Sequence, residues 1–172
     1  MSRIRLCLVL ALLWPIAARA ADCAILFGQG RVAPSADTLV NDHWNRLNFS
    51  FHDAFQYLLA EEGLKVVPVF LTVQQVDAAA NTESLRKAAA EGGCSRLLSL
   101  RVFSDEGRAA QDLVFAVSAA PIRKSGSEGP TLAAVEYTKE YRYPATPESL
   151  ARVVPSRIAA QAMRDLPDKW KR

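Results

Sequence analysis

The stretch "SFHDAFQYLLAEEGLKVVPVFL", residues 50–71, decides the fold. Its first half places Phe51, Ala54, Phe55, Leu58 and Leu59 at i, i+3, i+4, i+7 and i+8, the apolar stripe of a helix that covers something. Ser50 can cap the first turn, Asp53 sits where the helix dipole favours negative charge, and Gly63 can take the left-handed conformation that ends a helix. Then "KVVPVFL" becomes a continuous apolar run, a strand covered on both faces. Pro68 inside it removes a ladder donor and argues for an edge or a bulge.

Working outward, "AILF" (24–27) reads as a buried first strand ending at Gly28, and "GQGRVAPSADT" as the loop after it. A second helix is predicted from about Thr82 to Glu91, with Leu85, Ala88 and Ala89 inward and Gly92 and Gly93 ending it. "CSRLLSLRVF" (94–103) is a third strand, "SDEG" a turn, and "DLVFAVSAAPI" (112–122) a fourth strand running back. "RKSGSEGPT" reads as a flexible hairpin loop. "LAAVEYTKEYRY" (132–143) follows as a fifth strand, with Val135, Tyr137, Tyr141 and Tyr143 on one face. Thr146 and Pro147 open a last helix as cap and first residue, Leu150, Val154, Ile158 and Ala162 continue its apolar side, and Pro155 should kink or split it. The expected fold is α/β (α+β) in the order β-α-β-α-β-β-β-α. Its mixed five-stranded sheet carries helices, with the first three strands parallel through right-handed crossovers.

The first twenty residues read as a secretory signal peptide. Arg3 and Arg5 precede the apolar "LCLVLALLW", Pro15 breaks it, and Ala18-Arg19-Ala20 sets cleavage after Ala20. The apolar run is shorter than the roughly 20 residues a spanning helix needs, so no transmembrane span is expected after cleavage. The whole chain carries 21 basic and 18 acidic residues. Arg3, Arg5 and Arg19 lie in the signal, so residues 21–172, read as one globular domain, balance near neutrality. That excludes the basic footprint of a nucleic-acid binder. The expected location is the periplasm.

Cys7 leaves with the signal, which leaves Cys23 and Cys94. Lipidation of Cys23 would need small residues at −2 and −1, and Asp22 fits that pocket poorly. Two cysteines in an oxidising compartment point to one bridge rather than two buried thiols. Each opens a strand, and if strands one and three are parallel neighbours their starts lie about 4.8 Å apart, within bridging reach.

The units "FHDAFQYLLAEEGLKVVPV", "GGCSRLLSLRVF" and "LVFAVSAAPI" resemble the N-terminal domain of TolB and the related cores of LpoB- and CsgG-type envelope proteins. The resemblance lies in the order of elements over residues 23–166. It implies βαβα, then a hairpin-rich strand set and a last helix, and a non-enzymatic adaptor role in the Gram-negative envelope. It carries over no functional residue, and the lipid-anchored cysteine of the LpoB and CsgG types is missing.

Candidate chemistry is sparse. Gly28, Gly30 and Ala33 match a dinucleotide fingerprint in spacing, but the helix that pattern demands is replaced by loop. His43 and His52, beside Asp42 and Asp53, are nine residues apart and do not form a metal set; His52 reads as solvated at the first helical turn. No G-x-S-x-G elbow is present. The carboxylate pairs Glu61-Glu62 and Asp105-Glu106 read as solvated charges. "NDHWNRLN" (41–48), ahead of that helix, is the most unusual stretch. Trp44 packs back on the sheet with Asn45 and Asn48 satisfying loop backbone, or else Trp44, His43 and Arg46 form an exposed anchor. Tyr137 and Tyr141 pose the same choice between core and binding surface. No cofactor or metal is expected. The leading reading is a non-enzymatic binding or adaptor module meeting another envelope protein; the alternatives are a small hydrolase or metal-dependent enzyme using Asp42, His43, His52 and Asp53, and an inhibitor or immunity protein.

Overall fold

The computed structural model describes residues 23–29, 36–75, 77–105, 111–125 and 129–171. The signal peptide, Gly30 to Ala33 of the fingerprint and Glu106 lie outside them. The elements are β1 (Cys23–Gln29), α1 (Thr38–Glu61), β2 (Lys65–Leu71), α2 (Ala78–Gly92), β3 (Arg96–Asp105), β4 (Asp112–Ser125), β5 (Gly129–Leu132), β6 (Tyr137–Pro144), α3 (Pro147–Leu150), α4 (Pro155–Asp165) and α5 (Asp168–Lys171). β1 lies between β2 and β3, parallel to both; β4 returns antiparallel beside β3, and β5 and β6 share the other edge of β4. The mixed α+β architecture is the one expected, and Pro68 does sit in an edge strand.

Helix α1 begins at Thr38, not at Ser50. Asp37 caps it, accepting from the Leu39 N–H at 2.9 Å, so "NDHWNRLN" is its first half rather than a loop. Its far end follows the sequence: Gly63 is left-handed at φ 84°, and the Leu64 N–H closes back on the Leu59 carbonyl at 3.1 Å. α2 likewise starts early, at Ala78, because Asp77 accepts from the N–H groups of Ala79 and Ala80. Pro155 splits the last helix as expected, and Thr146 caps α3 through the Ser149 N–H at 3.2 Å.

The larger core lies under α1 and α4. Phe51, Phe55 and Leu59 meet Leu98, Leu100, Val102, Phe115 and Val117 from the sheet and Ile158, Ala159 and Ala162 from α4. Each large apolar side chain removed from water here contributes about 1.5–3 kcal/mol. Tyr141 belongs to this core at 7% exposure, and Tyr137 and Tyr143 pack against it, because α4 covers that face of β6. Val135 stays outside at 60%, and Leu150 and Val154 on the last helix are exposed rather than inward. The smaller core, under α2, joins Cys23, Ile25, Phe27, Leu85, Ala89, Cys94, Leu97 and Ile122.

The fifth strand is divided. β5 pairs with residues 122–125 of β4 and β6 with 112–119, leaving Ala133 to Glu136 to bulge between them. Pro121 explains the break. The neighbouring Ile122 N–H points to Ser95 of the β3 side, so position 121 faces the β5/β6 side, where proline has no N–H to give. "RKSGSEGPT" is therefore largely strand, its described ends forming β4 and β5.

Cys23 and Cys94 are bridged, with Cα atoms 4.4 Å apart. The Ser95 N–H also donates to the Cys23 carbonyl at 3.2 Å. The parallel pairing of β1 with β3 brings the two strand starts together, as the element order predicts.

Candidate functional site

Four polar residues on α1 stand at i, i+4, i+7 and i+11: Asn41, Asn45, Asn48 and His52. That is helical spacing, and the stripe turns inward: Asn41, Asn48 and His52 are each 3% exposed. Three of them take over backbone groups near the strands. Asn45 Oδ1 accepts from the Val73 N–H at 2.8 Å, just past β2. Asn48 Oδ1 accepts from the Val102 N–H at 2.8 Å, while its Nδ2 donates to the Val102 carbonyl at 3.3 Å and to Trp44 O at 3.0 Å. The described β1–β3 pairing runs to Gln29 and Arg101, and Asn48 meets the next residue of β3, Val102, through both of its backbone groups. The two asparagines do satisfy backbone: Asn45 that of the turn after β2, as expected, and Asn48 that of strand β3.

His52 is buried, not solvated. Its Nε2 lies 3.0 Å from the Leu26 carbonyl, an acceptor only, so Nε2 carries the proton. The ring packs edge-on against Phe70 with centroids 5.6 Å apart. It also lies over Gly28, where a Cβ would come within 2.6 Å of His52 Cδ2 and 2.7 Å of Phe70 Cδ2. Gly28 thus makes room for an imidazole, not for a phosphate.

Burial holds the His52 pKa below its ordinary value, opposed by the Leu26 hydrogen bond and by Asp53. The unfolded chain therefore takes up this proton at higher pH than the native one. The site's stabilisation is complete above about pH 6.5 and declines below it, by at most about 1.4 kcal/mol per pH unit. His52→Gln keeps a donor and removes the titration. Its melting temperature is expected to vary less with pH between about 5 and 6.5 than that of the wild type. Equal slopes in a thermal melt series would refute this.

Beside the stripe, His43, Trp44, Leu47, Ser104, Gln111, Leu113, Ala145 and Leu150 line a pocket of about 210 Å³. Trp44 is half-buried and packs on the larger core, while His43 is exposed at the rim. Gln111 Nε2 donates to Ser104 Oγ at 2.7 Å. Apart from His43, no lining residue named is titratable.

The other expected site residues lie apart. Arg46 is exposed on α1. Tyr141 donates its hydroxyl to Asp165 Oδ2 at 2.7 Å, and Tyr137 donates to the Asp165 carbonyl at 3.3 Å. Burial first, then the hydrogen bond and charge of Asp165, push the Tyr141 phenol well above its ordinary range. Tyr141 is a structural donor that fastens α4 to β6, not an open surface. Among the described residues no three His, Cys, Asp or Glu side chains lie close enough to hold a metal ion. His43 and His52 occupy different sides of α1. Sequence reasoning missed the buried stripe, whose signal was the spacing of its four polar residues.

No protein-family model and no curated protein matches the chain. Solved structures resemble it in backbone arrangement. The hypothetical protein CT253 from Chlamydia trachomatis is 8% identical, with a TM-score of 0.45 over 87% of this chain and 95% of that one. The PelC dodecamer from Paraburkholderia phytofirmans is 14% identical, with a TM-score of 0.39 over 83% of each chain. Lipoprotein GNA1162 from Neisseria meningitidis is 11% identical, with a TM-score of 0.37 over 83% of this chain and 99% of that one. These likenesses assign no functional residue.

Proposed function

We propose that this chain is a non-enzymatic binding module of the bacterial cell envelope that receives a partner protein at the Trp44 pocket. The observation that carries the reading is the division of labour on α1. Asn45, Asn48 and His52 are committed to backbone groups, while the adjoining pocket is mainly apolar and contains a half-buried tryptophan. An aromatic anchor in a small apolar cleft suits partner recognition, and the described lining residues supply no acid–base pair. The buried disulfide supports an oxidising compartment. Among the described residues no helix is long and apolar enough to cross a membrane.

The test is a photo-crosslinking residue at position 43, at the rim, compared with one at Lys87 on α2. A discrete adduct from 43 alone, lost in Trp44→Ala while the domain still melts cooperatively, is the expected result. An adduct that persists without the indole would overturn the site. Substrate turnover abolished by His52→Gln would overturn the non-enzymatic reading.

A further inference from the structure

Away from the Trp44 pocket, α1 and α4 leave an open groove of about 560 Å³ between Asp53, Ala54, Tyr57 and Leu58 on one side and Ser156 and Ala160 on the other. It continues past Glu61 and Glu62 to Arg164 and Lys171. The floor is built of small and apolar side chains, whereas Tyr57 stands 64% exposed at the wall. The two walls differ in charge. Along this groove, from residue 53 onward, the exposed charges of α1 are Asp53, Glu61 and Glu62, with the exposed Arg46 two turns before it; on α4 they are Arg157 and Arg164, while Asp165 is turned toward Tyr141 and Lys139.

The lining fixes how the helices run. Ala54 shares the first groove with Ser156, Leu58 shares both with Ala160, and Glu61 shares the second with Arg164. The two helices are therefore parallel, with Asp53 near the level of Arg157 and Glu61 near that of Arg164. Asp53 and Glu61 are about 12 Å apart along α1, and Arg157 and Arg164 about 10 Å along α4, at 1.5 Å per residue.

We infer that this helix layer is a self-complementary interface for a second copy of the chain. A two-fold axis along the helices lays each α1 over the partner's α4. The acidic ridge of one copy then meets the basic ridge of the other twice, and each Tyr57 lies over the small-residue floor facing it. Any other axis in the layer that set α1 on α1 would oppose like charges. An isologous contact requires a patch that matches itself after rotation, and the stretch of the layer along the groove, acidic on α1 and basic on α4, does so. The footprint is only two helices wide, so the dimer is concentration-dependent and weakens with salt. The Trp44 pocket stays free in it, so the two proposals stand or fall separately.

The experiment is sedimentation velocity across a concentration series on the full exported protein with its disulfide intact. Asp53→Arg and Arg157→Glu, both at exposed positions, are each expected to raise the dimer dissociation constant at least about tenfold, since each acts twice per dimer. The doubly reversed protein should recover the wild-type constant. Circular dichroism and melting of all three variants serve as the fold check. A monomer at every concentration overturns the inference. So does a dimer indifferent to both reversals, which would use another face, or a double variant no better than the singles.

Discussion

Replacing Cys23 and Cys94 together by alanine is expected to lower the free energy of unfolding by about 4 kcal/mol. The bridge closes a loop of 71 residues, and the chain-entropy model assigns a loop of that length about that much restriction of the unfolded state. Against the 5–15 kcal/mol of a typical domain (a rough range), this is a large share. The location raises the stake. Both cysteines are buried, at 3% and 1% exposure, and belong to the smaller core under α2. A Cβ on Gly92 would come within 3.0 Å of Cys94 Sγ and 3.1 Å of Val67 Cγ2, so the bridge already fills the space beneath the end of α2. Denaturant unfolding followed by tryptophan fluorescence is the measurement, with the reduced wild type alongside the double variant. The midpoint should fall and the denaturant slope should rise, because an unbridged denatured chain exposes more surface. Hydrogen exchange should show α2 losing protection before α1. A loss below about 1 kcal/mol would mean that the larger core alone holds the fold and that the bridge is incidental.

The bridge was legible in the sequence because both cysteines open strands, and strand order is written in apolar runs. β1 to β4 and the second half of α1 were legible for the same reason: burial selects apolar residues at a period, and the period is visible. The first half of α1 escaped because its inward face is polar. Asn41, Asn45, Asn48 and His52 keep the helical period, but Asn45, Asn48 and His52 hold backbone groups of the strands and the turn after β2 by hydrogen bonds, so a reading by hydrophobicity passes over the stripe. The division of the fifth strand escaped for a different reason. Its own alternation is unbroken, and the cause, Pro121, lies on the partner strand, whose facing edge only the pairing reveals. For the site, His43 and Trp44 do share one pocket. For Tyr141 the alternation left core and binding surface both open, since a strand's own sequence does not tell what covers its face; α4 covers it, and the side chain is core.

Asn48→Ala tests whether the polar stripe is structural, and its expected cost is about 2–6 kcal/mol. The amide meets both hydrogen-bonding groups of Val102, itself 0% exposed. Truncation leaves a buried N–H and a buried C=O without that partner, each at about 1–3 kcal/mol. Asn48→Leu should be no better, since it restores volume but neither bond. Asn48→Asp separates the two groups, because a carboxylate still accepts from the Val102 N–H but faces the Val102 carbonyl with an oxygen instead of a donor. Burial raises the pKa of that introduced carboxyl above its unfolded value near 3.9, a rough reference. Its native form is therefore favoured by protonation. Asn48→Asp should be relatively most stable below about pH 4 and lose stability as pH rises through the native pKa, whereas Asn48→Ala shows no such dependence. Thermal melts of the three variants from acidic to neutral pH measure this directly. If Asn48→Ala loses less than about 1 kcal/mol, water has taken the place of the amide and the stripe is not what holds the Val102 end of β3. If the loss is as large as expected, the Val102 end of β3 is held by a side chain borrowed from α1. The polar stripe beside the pocket is then committed to the fold, which agrees with the proposal that the partner meets the pocket lining around Trp44 and not the stripe.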